Sequence, residues 1–117
     1  MNEPSLAGGC NGENGMKLSE FQRRIEDIYG AKDRERGMER TFMWFAEEVG
    51  ELSRSLRRQD KGRPLEEEFA DVLAWLSTLA SIVGVDLEQV AVDKYGKGCP
   101  RCEGTPCRCE EPAAPGS

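Results

Sequence analysis

The sequence contains no histidine. This removes the commonest general base and the commonest nitrogen ligand for metals. A metal site must therefore use carboxylates or thiolates, and proton transfer must use a carboxylate, Lys, Cys or water. Aromatic residues are scarce, at 7%. Long apolar runs are missing: the longest uncharged stretch, Val72 to Val85, is too short to span a bilayer. No basic segment followed by an apolar one precedes Cys10, so nothing reads as a secretory signal. The expectation is a cytoplasmic protein with no membrane partner. An excess of basic charge is absent as well. Sixteen Lys and Arg stand against 22 Asp and Glu, for a net charge of −6. A nucleic-acid binder would carry a basic stripe, and Arg101 with Arg108 is too little, so no nucleic-acid partner is expected. An anionic substrate would be repelled unless a cation intervened.

The 117 residues fit one domain. Residues 1–15, rich in Gly, Asn, Glu and Ser, read as a flexible leader. Residues 110–117 read as a disordered Pro/Ala tail. Between them the apolar spacing predicts four helices and no strand. The first starts near Ser19, with Ser19 and Gln22 spaced as a capping box. It carries Phe21, Ile25, Ile28 and Tyr29, fades in the charged run Lys32 to Arg36 and ends by Gly37. The second runs from about Met38 to Arg58, with an apolar face of Phe42, Phe45, Ala46, Val49, Leu52 and Leu56. Gly62 breaks the chain, and Pro64 suits the first turn of a third helix. That helix carries Leu65, Phe69, Val72, Leu73, Leu76 and Leu79 and ends at Gly84. Asp86 and Gln89 begin a short fourth helix reaching about Tyr95.

The second helix contains Glu47, Glu48 and Glu51. Residues three and four apart share one helix face, so the three acids lie on one arc, expected opposite the apolar face. Their mutual repulsion opposes helix formation. Glu68 and Asp71 on the third helix are also one turn apart, and Asp71 leads into a segment without charge until Asp86. A carboxylate at such a place is costly without a cation or donors. If the two helices pack antiparallel, the acidic turns face each other around one small volume. Hard oxygen donors in that number suit Mg²⁺, or Mn²⁺ in its place. Bound metal would hold a polyphosphate that the acids alone repel, and would polarise phosphorus and activate water. The plain alternative is a solvated acidic face paired with arginines. Arg54, one turn from Glu51, is the arginine placed to pair with it.

Glu47-Glu48-x-x-Glu51, sixteen residues, then Glu68-x-x-Asp71 closely resembles the signature of the MazG-like nucleotide pyrophosphohydrolases. The segments FAEEVGELSRSL, LEEEFADVLAWLSTLA and VDLEQVAVDKY extend the likeness over roughly residues 18–97. The resemblance implies an all-α fold, oligomerisation, and hydrolysis of an NTP or dNTP to monophosphate and pyrophosphate. It implies metal ligation by Glu48, Glu51, Glu68 and Asp71. Glu47 matches the remaining acid and is assigned to orienting or deprotonating the attacking water. Lys94 is the best match to a lysine that reaches phosphate in related enzymes, with Lys97 a weaker candidate. Here the chain departs from the usual pattern, since Gly96-Lys97-Gly98-Cys99 replaces an Arg-containing segment. Removal of unwanted nucleotides follows only by analogy.

Trp44 lies one turn before the acids of the second helix, and Trp75 one turn after Asp71. Both are candidates to stack on a nucleobase, with packing in the core or against another subunit as the alternative. Cys99-x-x-Cys102 and Cys107-x-Cys109 fall within eleven residues. In a cytoplasmic protein such clustering points to a metal site sooner than to disulfides, and four thiolates suit structural Zn²⁺. A redox-sensitive thiol cluster is the rival, and an inert tail is the plain alternative.

The expectation is therefore an all-α, four-helix, MazG-like bundle over residues 16–97, completed as a homodimer or homotetramer, with a Cys₄ knuckle over 98–109. Its expected substrate is a nucleoside triphosphate and its cofactor Mg²⁺. The rivals are a phosphoribosyl-ATP, dUTP or dCTP pyrophosphohydrolase, and a zinc-stabilised dimerisation module without catalysis.

Overall fold

The computed structural model describes residues 15–110. The leader, apart from Gly15, and the tail beyond Glu110 lie outside the described residues, as does Cys10. Among the described residues there are four helices and no strand: α1 (Leu18–Arg36), α2 (Met38–Arg57), α3 (Arg63–Ile82) and α4 (Leu87–Tyr95). No single one of these helices is long and apolar enough to cross a membrane. α2 packs chiefly on α3, α1 lies across α3 and α2, and α4 packs on α1.

The expected breaks fall where glycine conformations permit them. Gly37 adopts φ 88°, a region that side chains disfavour. Its N–H donates to Asp33 O, and its carbonyl accepts from Thr41 N–H, so one residue closes α1 and opens α2. α2 ends through Gln59 at φ 61° and Gly62 at φ 69°. The Ser55 hydroxyl, donating to Asp60 Oδ2 at 3.0 Å, secures this turn. Gly84 at φ 80° ends α3, and the Asp86 side chain caps α4 by accepting from Gln89 N–H at 3.1 Å.

The capping box expected of Ser19 and Gln22 does not form. α1 begins one residue earlier, and Glu20 accepts from Lys17 N–H at 2.8 Å. Glu88 of α4 takes the Ser19 N–H at 2.9 Å. Gln22 is buried and acts over a long range instead. Its amide donates to Val85 O at 2.8 Å and to Ser81 Oγ at 3.1 Å, and its Oε1 accepts from Leu87 N–H. One side chain thus ties α1 to the turn between α3 and α4. Nor does α1 fade in its charged run. It stays helical through Arg36 because Asp33 and Arg36 bond into the interior.

The core departs from the apolar pattern of the sequence. Ile25 and Ala80 are the buried hydrophobic residues, and they are accompanied by buried Gln22, Asp33, Thr41, Ser55, Ser77 and Thr78. On α2 the buried and half-buried positions are Thr41, Phe45, Glu48, Leu52 and Ser55. This stripe is displaced from the one expected: Phe42, Val49 and Leu56 are 54%, 41% and 51% exposed. On α3, Phe69, Leu73 and Leu76 are exposed as well, as is Val83 just past its end. Small hydroxyl-bearing residues let the helices approach within the chain, while the larger apolar side chains form edges that face outward.

Candidate metal centre

The stripe of α2 that faces inward carries Glu48 into the helix interface, flanked by Thr41 and Ser55. The expectation that all three α2 acids lie on an outer arc is therefore corrected. Glu48 is half-buried, whereas Glu47 and Glu51 are exposed. Opposite, α3 presents Glu68 and Asp71 one turn apart. Glu48, Glu68 and Asp71 each offer a carboxylate oxygen, and these atoms lie within 4.8 Å of one another. The Glu48 carboxyl is pushed above its ordinary value, first by burial and then by the charges of Asp71, Glu68, Glu51 and Glu47. Among the described residues, the salt bridges formed by these five acids reduce to one: Arg54 Nη1 stands 3.8 Å from Glu51 Oε1. A divalent cation would relieve the repulsion, and three carboxylate donors leave room for phosphate oxygens and water as Mg²⁺ requires.

Glu51 and Glu47 stand outside the trio. Glu51 is one turn along α2 and faces Arg54. Glu47 lines an open cavity of about 260 Å³ with Arg40, Met43 and Trp44. Trp44 and Trp75 stack on each other, with centroids 6.3 Å apart and planes 15° apart. One face of each ring is thereby taken by the other. Lys94 lies at the end of α4, its ammonium 5.8 Å from the Tyr95 ring centroid, and Lys97 follows in an exposed turn. The main packing of α4 is on α1, so within one chain neither lysine is gathered with the acids.

Two residues that the sequence reading passed over border the site. Asp33 is buried, accepts from Thr78 Oγ1 at 3.0 Å and is paired with Arg36. Arg36 also donates to Thr41 Oγ1 at 3.3 Å and lies over Trp75 at 5.0 Å. They lie in the charged run Lys32 to Arg36, where the helix is expected to fade, and their i,i+3 spacing is the one local signal that could have singled them out. With Tyr29, Lys32, Asp71 and Trp75 they line a cavity of about 320 Å³ between α1 and α3. Asp71 therefore belongs both to the carboxylate trio and to the wall of a cleft bearing two cations and two aromatic rings.

The sequence model described as MazG nucleotide pyrophosphohydrolase domain matches residues 36–103. The chain belongs to this family. The match begins at the last residue of α1 and takes in α2, α3 and α4, so Glu47, Glu48, Glu51, Glu68 and Asp71 all lie within it. It also runs into the Cys segment. No curated protein matches the chain significantly. Membership carries the general activity, hydrolysis of a nucleotide pyrophosphate bond, and agrees with the all-helical architecture.

Beyond α4 the four cysteines converge, with each Sγ within 4.8 Å of the others. Cys99 and Cys109 are 3.8 Å apart, and Cys102 and Cys107 4.0 Å. The N–H groups of Arg108 and Gly104 hold the Cys102 thiol down to about 6, while neighbouring Cys107 and Cys99 push Cys109 up to about 12.

Proposed function

We propose that the chain is a divalent-cation-dependent hydrolase of nucleoside triphosphates, releasing monophosphate and pyrophosphate. The observation that carries this reading is the meeting of Glu48, Glu68 and Asp71 from two helices within 4.8 Å. Oxygen-only donors and the strained ionisation of Glu48 suit Mg²⁺, with Mn²⁺ able to replace it. Bound there, the cation would neutralise the triphosphate and make water more acidic. Glu51, one turn along α2 and paired with Arg54, would complete the ligand set. Glu47, free of the trio, takes the proton of the water that attacks a phosphorus of the α–β linkage. The bond from that phosphorus to the bridging oxygen breaks, the bridging oxygen keeps the electron pair, and monophosphate and pyrophosphate separate.

The cleft beside Asp71 receives the nucleotide. Arg36 and Lys32 supply positive charge at its wall, Tyr29 supplies a flat surface for a base, and Trp75, already in contact with Trp44 and Arg36, forms its rim. Lys94 and Lys97 reach phosphate only if another subunit brings them to the site. Self-association, as a homodimer or homotetramer, is supported by the outward apolar edges of α2 and α3. A nucleotide-pool role in the cytoplasm fits this activity.

The test is pyrophosphate release from a panel of NTPs, dNTPs and phosphoribosyl-ATP, with Mg²⁺ and with EDTA, for wild type, Glu48→Gln and Glu51→Gln. Mg²⁺-dependent release abolished by either substitution is expected, and the panel ranks the bases. No turnover by folded, metal-replete protein would refute the reading.

A further inference from the structure

The segment from Gly98 to Cys109 has a defined shape without a hydrophobic core to hold it. Its side chains are four Cys, two Pro, two Arg, one Glu and one Thr. It is nonetheless folded tightly on itself. Cys99 N–H donates to Gly104 O at 3.0 Å, and Glu103 N–H returns to Cys99 O at 2.6 Å. Gly98 adopts φ 110°, and a Cβ there would meet Glu103 O at 2.8 Å and Gly104 O at 2.9 Å. A Cβ at Gly104 would meet Pro106 O at 2.7 Å. Backbone this compact needs a central attraction, and the four sulfurs stand where it would act.

We infer that Cys99, Cys102, Cys107 and Cys109 bind one Zn²⁺ as a closed structural site, separate from the carboxylate centre. A tetrahedron with Zn–S bonds of about 2.3 Å has S···S edges of roughly 3.8 Å. The observed 3.8 and 4.0 Å pairs have that spacing. A disulfide needs sulfurs about 2.0 Å apart, so neither pair is placed as one. Three backbone N–H groups point at sulfur: Arg108 and Gly104 at Cys102 (3.1 and 3.4 Å), and Cys109 at Cys107 (3.3 Å). Such donors disperse thiolate charge and fix ligand orientation. Four thiolates around Zn²⁺ leave two negative charges, and the Arg108 side chain donates to Cys102 O beside them at 3.5 Å. Soft donors favour zinc over the hard cation suited to the acids, and four protein ligands leave no position for substrate.

The full-length protein, purified under reducing conditions and supplied with Zn²⁺, tests this by elemental analysis, Co²⁺ substitution and circular dichroism. One zinc per chain is expected. Co²⁺ in its place should give the thiolate charge-transfer and tetrahedral ligand-field absorption of a four-sulfur site. The double substitution Cys102→Ser, Cys107→Ser should lose both the zinc and the cobalt spectrum while keeping the helical signal of the wild type. A second double variant, Cys99→Ser, Cys109→Ser, guards against a local fault of the first. Sub-stoichiometric zinc, stoichiometric iron, zinc retained by both double variants, or a cobalt spectrum of oxygen ligation would overturn the inference. So would two disulfides found by mass spectrometry in the reduced preparation. None of these outcomes depends on whether the protein hydrolyses nucleotides.

Discussion

The Arg36 guanidinium lies over the indole of Trp75, 5.0 Å from its ring centroid. Asp33 pairs with Arg36, and Trp44 stacks on Trp75. Asp33, Arg36, Trp75 and Trp44 thus form a continuous chain of contacts from α1 through α3 to α2. Trp75 lies one turn from Asp71, so this chain sets the wall of the cleft beside the carboxylates.

Removing Arg36 should therefore have two effects. Arg36→Ala leaves the carboxylate of Asp33 buried without its partner, a change worth about 3 kcal/mol of stability, measurable by urea denaturation. It also frees the indole, which should alter tryptophan fluorescence and raise KM more than it lowers kcat. Arg36→Lys keeps the charge but loses the planar fork, so it should recover part of the stability and little of the fluorescence change.

Glu48 carries the sharpest electrostatic prediction. Its carboxyl is raised by burial and by four acidic neighbours, so the native state holds that proton more tightly than the unfolded chain. Stability of metal-free protein should then fall as pH rises from the ordinary carboxylate range through the raised value of Glu48. Added Mg²⁺ should reverse this dependence, because the cation favours the charged form. Melting temperature against pH, with EDTA and with Mg²⁺, reads both arms.

Glu48→Gln separates stability from function at the same residue. The substitution removes a repelled charge, so the variant should melt higher than wild type in EDTA. It should also lose the Mg²⁺-induced increase and at least ~100-fold in activity, beyond the loss expected from an outer-shell change. A metal-free variant that melts lower than wild type would show Glu48 to be a structural hydrogen-bonding residue.

The number and type of helices were legible because their boundaries are local. Gly37, Gly62, Gly84 and Asp86 act through φ values and caps that depend on immediate neighbours. The acids were legible through their spacing. The packed face of α2 was not. Phe42, Val49 and Leu56 give the stronger apolar signal, yet the chain packs through Thr41, Phe45, Glu48, Leu52 and Ser55. Apolar periodicity marks surface that seeks burial, without saying whether the partner lies in the same chain. Asp33 and Arg36 escaped notice, and Gln22 was given only a local capping role, for a related reason. Their roles arise from partners on other helices, and polar residues carry no periodic signal.

Gln22 should matter more than a surface amide. Gln22→Ala would strand the Leu87 N–H and the Val85 carbonyl, each now bonded to it. Leaving such groups unsatisfied costs about 1–3 kcal/mol. Hydrogen exchange offers a local reading: the amide of Leu87 should exchange faster, while amides in the middle of α2 keep their protection. Uniform acceleration across all helices would mean that Gln22 supports the whole fold and not that junction.

The outward apolar edges predict the assembly. Phe69 is 53% exposed, and Leu73 and Leu76 along the same helix and Val83 just past its end are exposed too. Edges this rich in large side chains mark contact surfaces in a chain with so few buried hydrophobic residues. Phe69→Asp places a charge on that edge, and because Phe69 lies between Glu68 and Asp71 in the chain, the activity of the variant at concentrations where it still assembles is its control. If Phe69 lies near the centre of a subunit contact worth ~2 kcal/mol at that position, dissociation should become about 30-fold easier. Light scattering across a dilution series should show wild type holding together at concentrations where the variant is monomeric. Lys94 and Lys97, apart from the acids within one chain, give the same experiment a functional arm. If a neighbouring subunit delivers them to phosphate, the monomeric variant should lose activity in proportion to dissociation and regain it at high protein concentration. Activity that stays constant while the assembly falls apart would place the complete site within one chain.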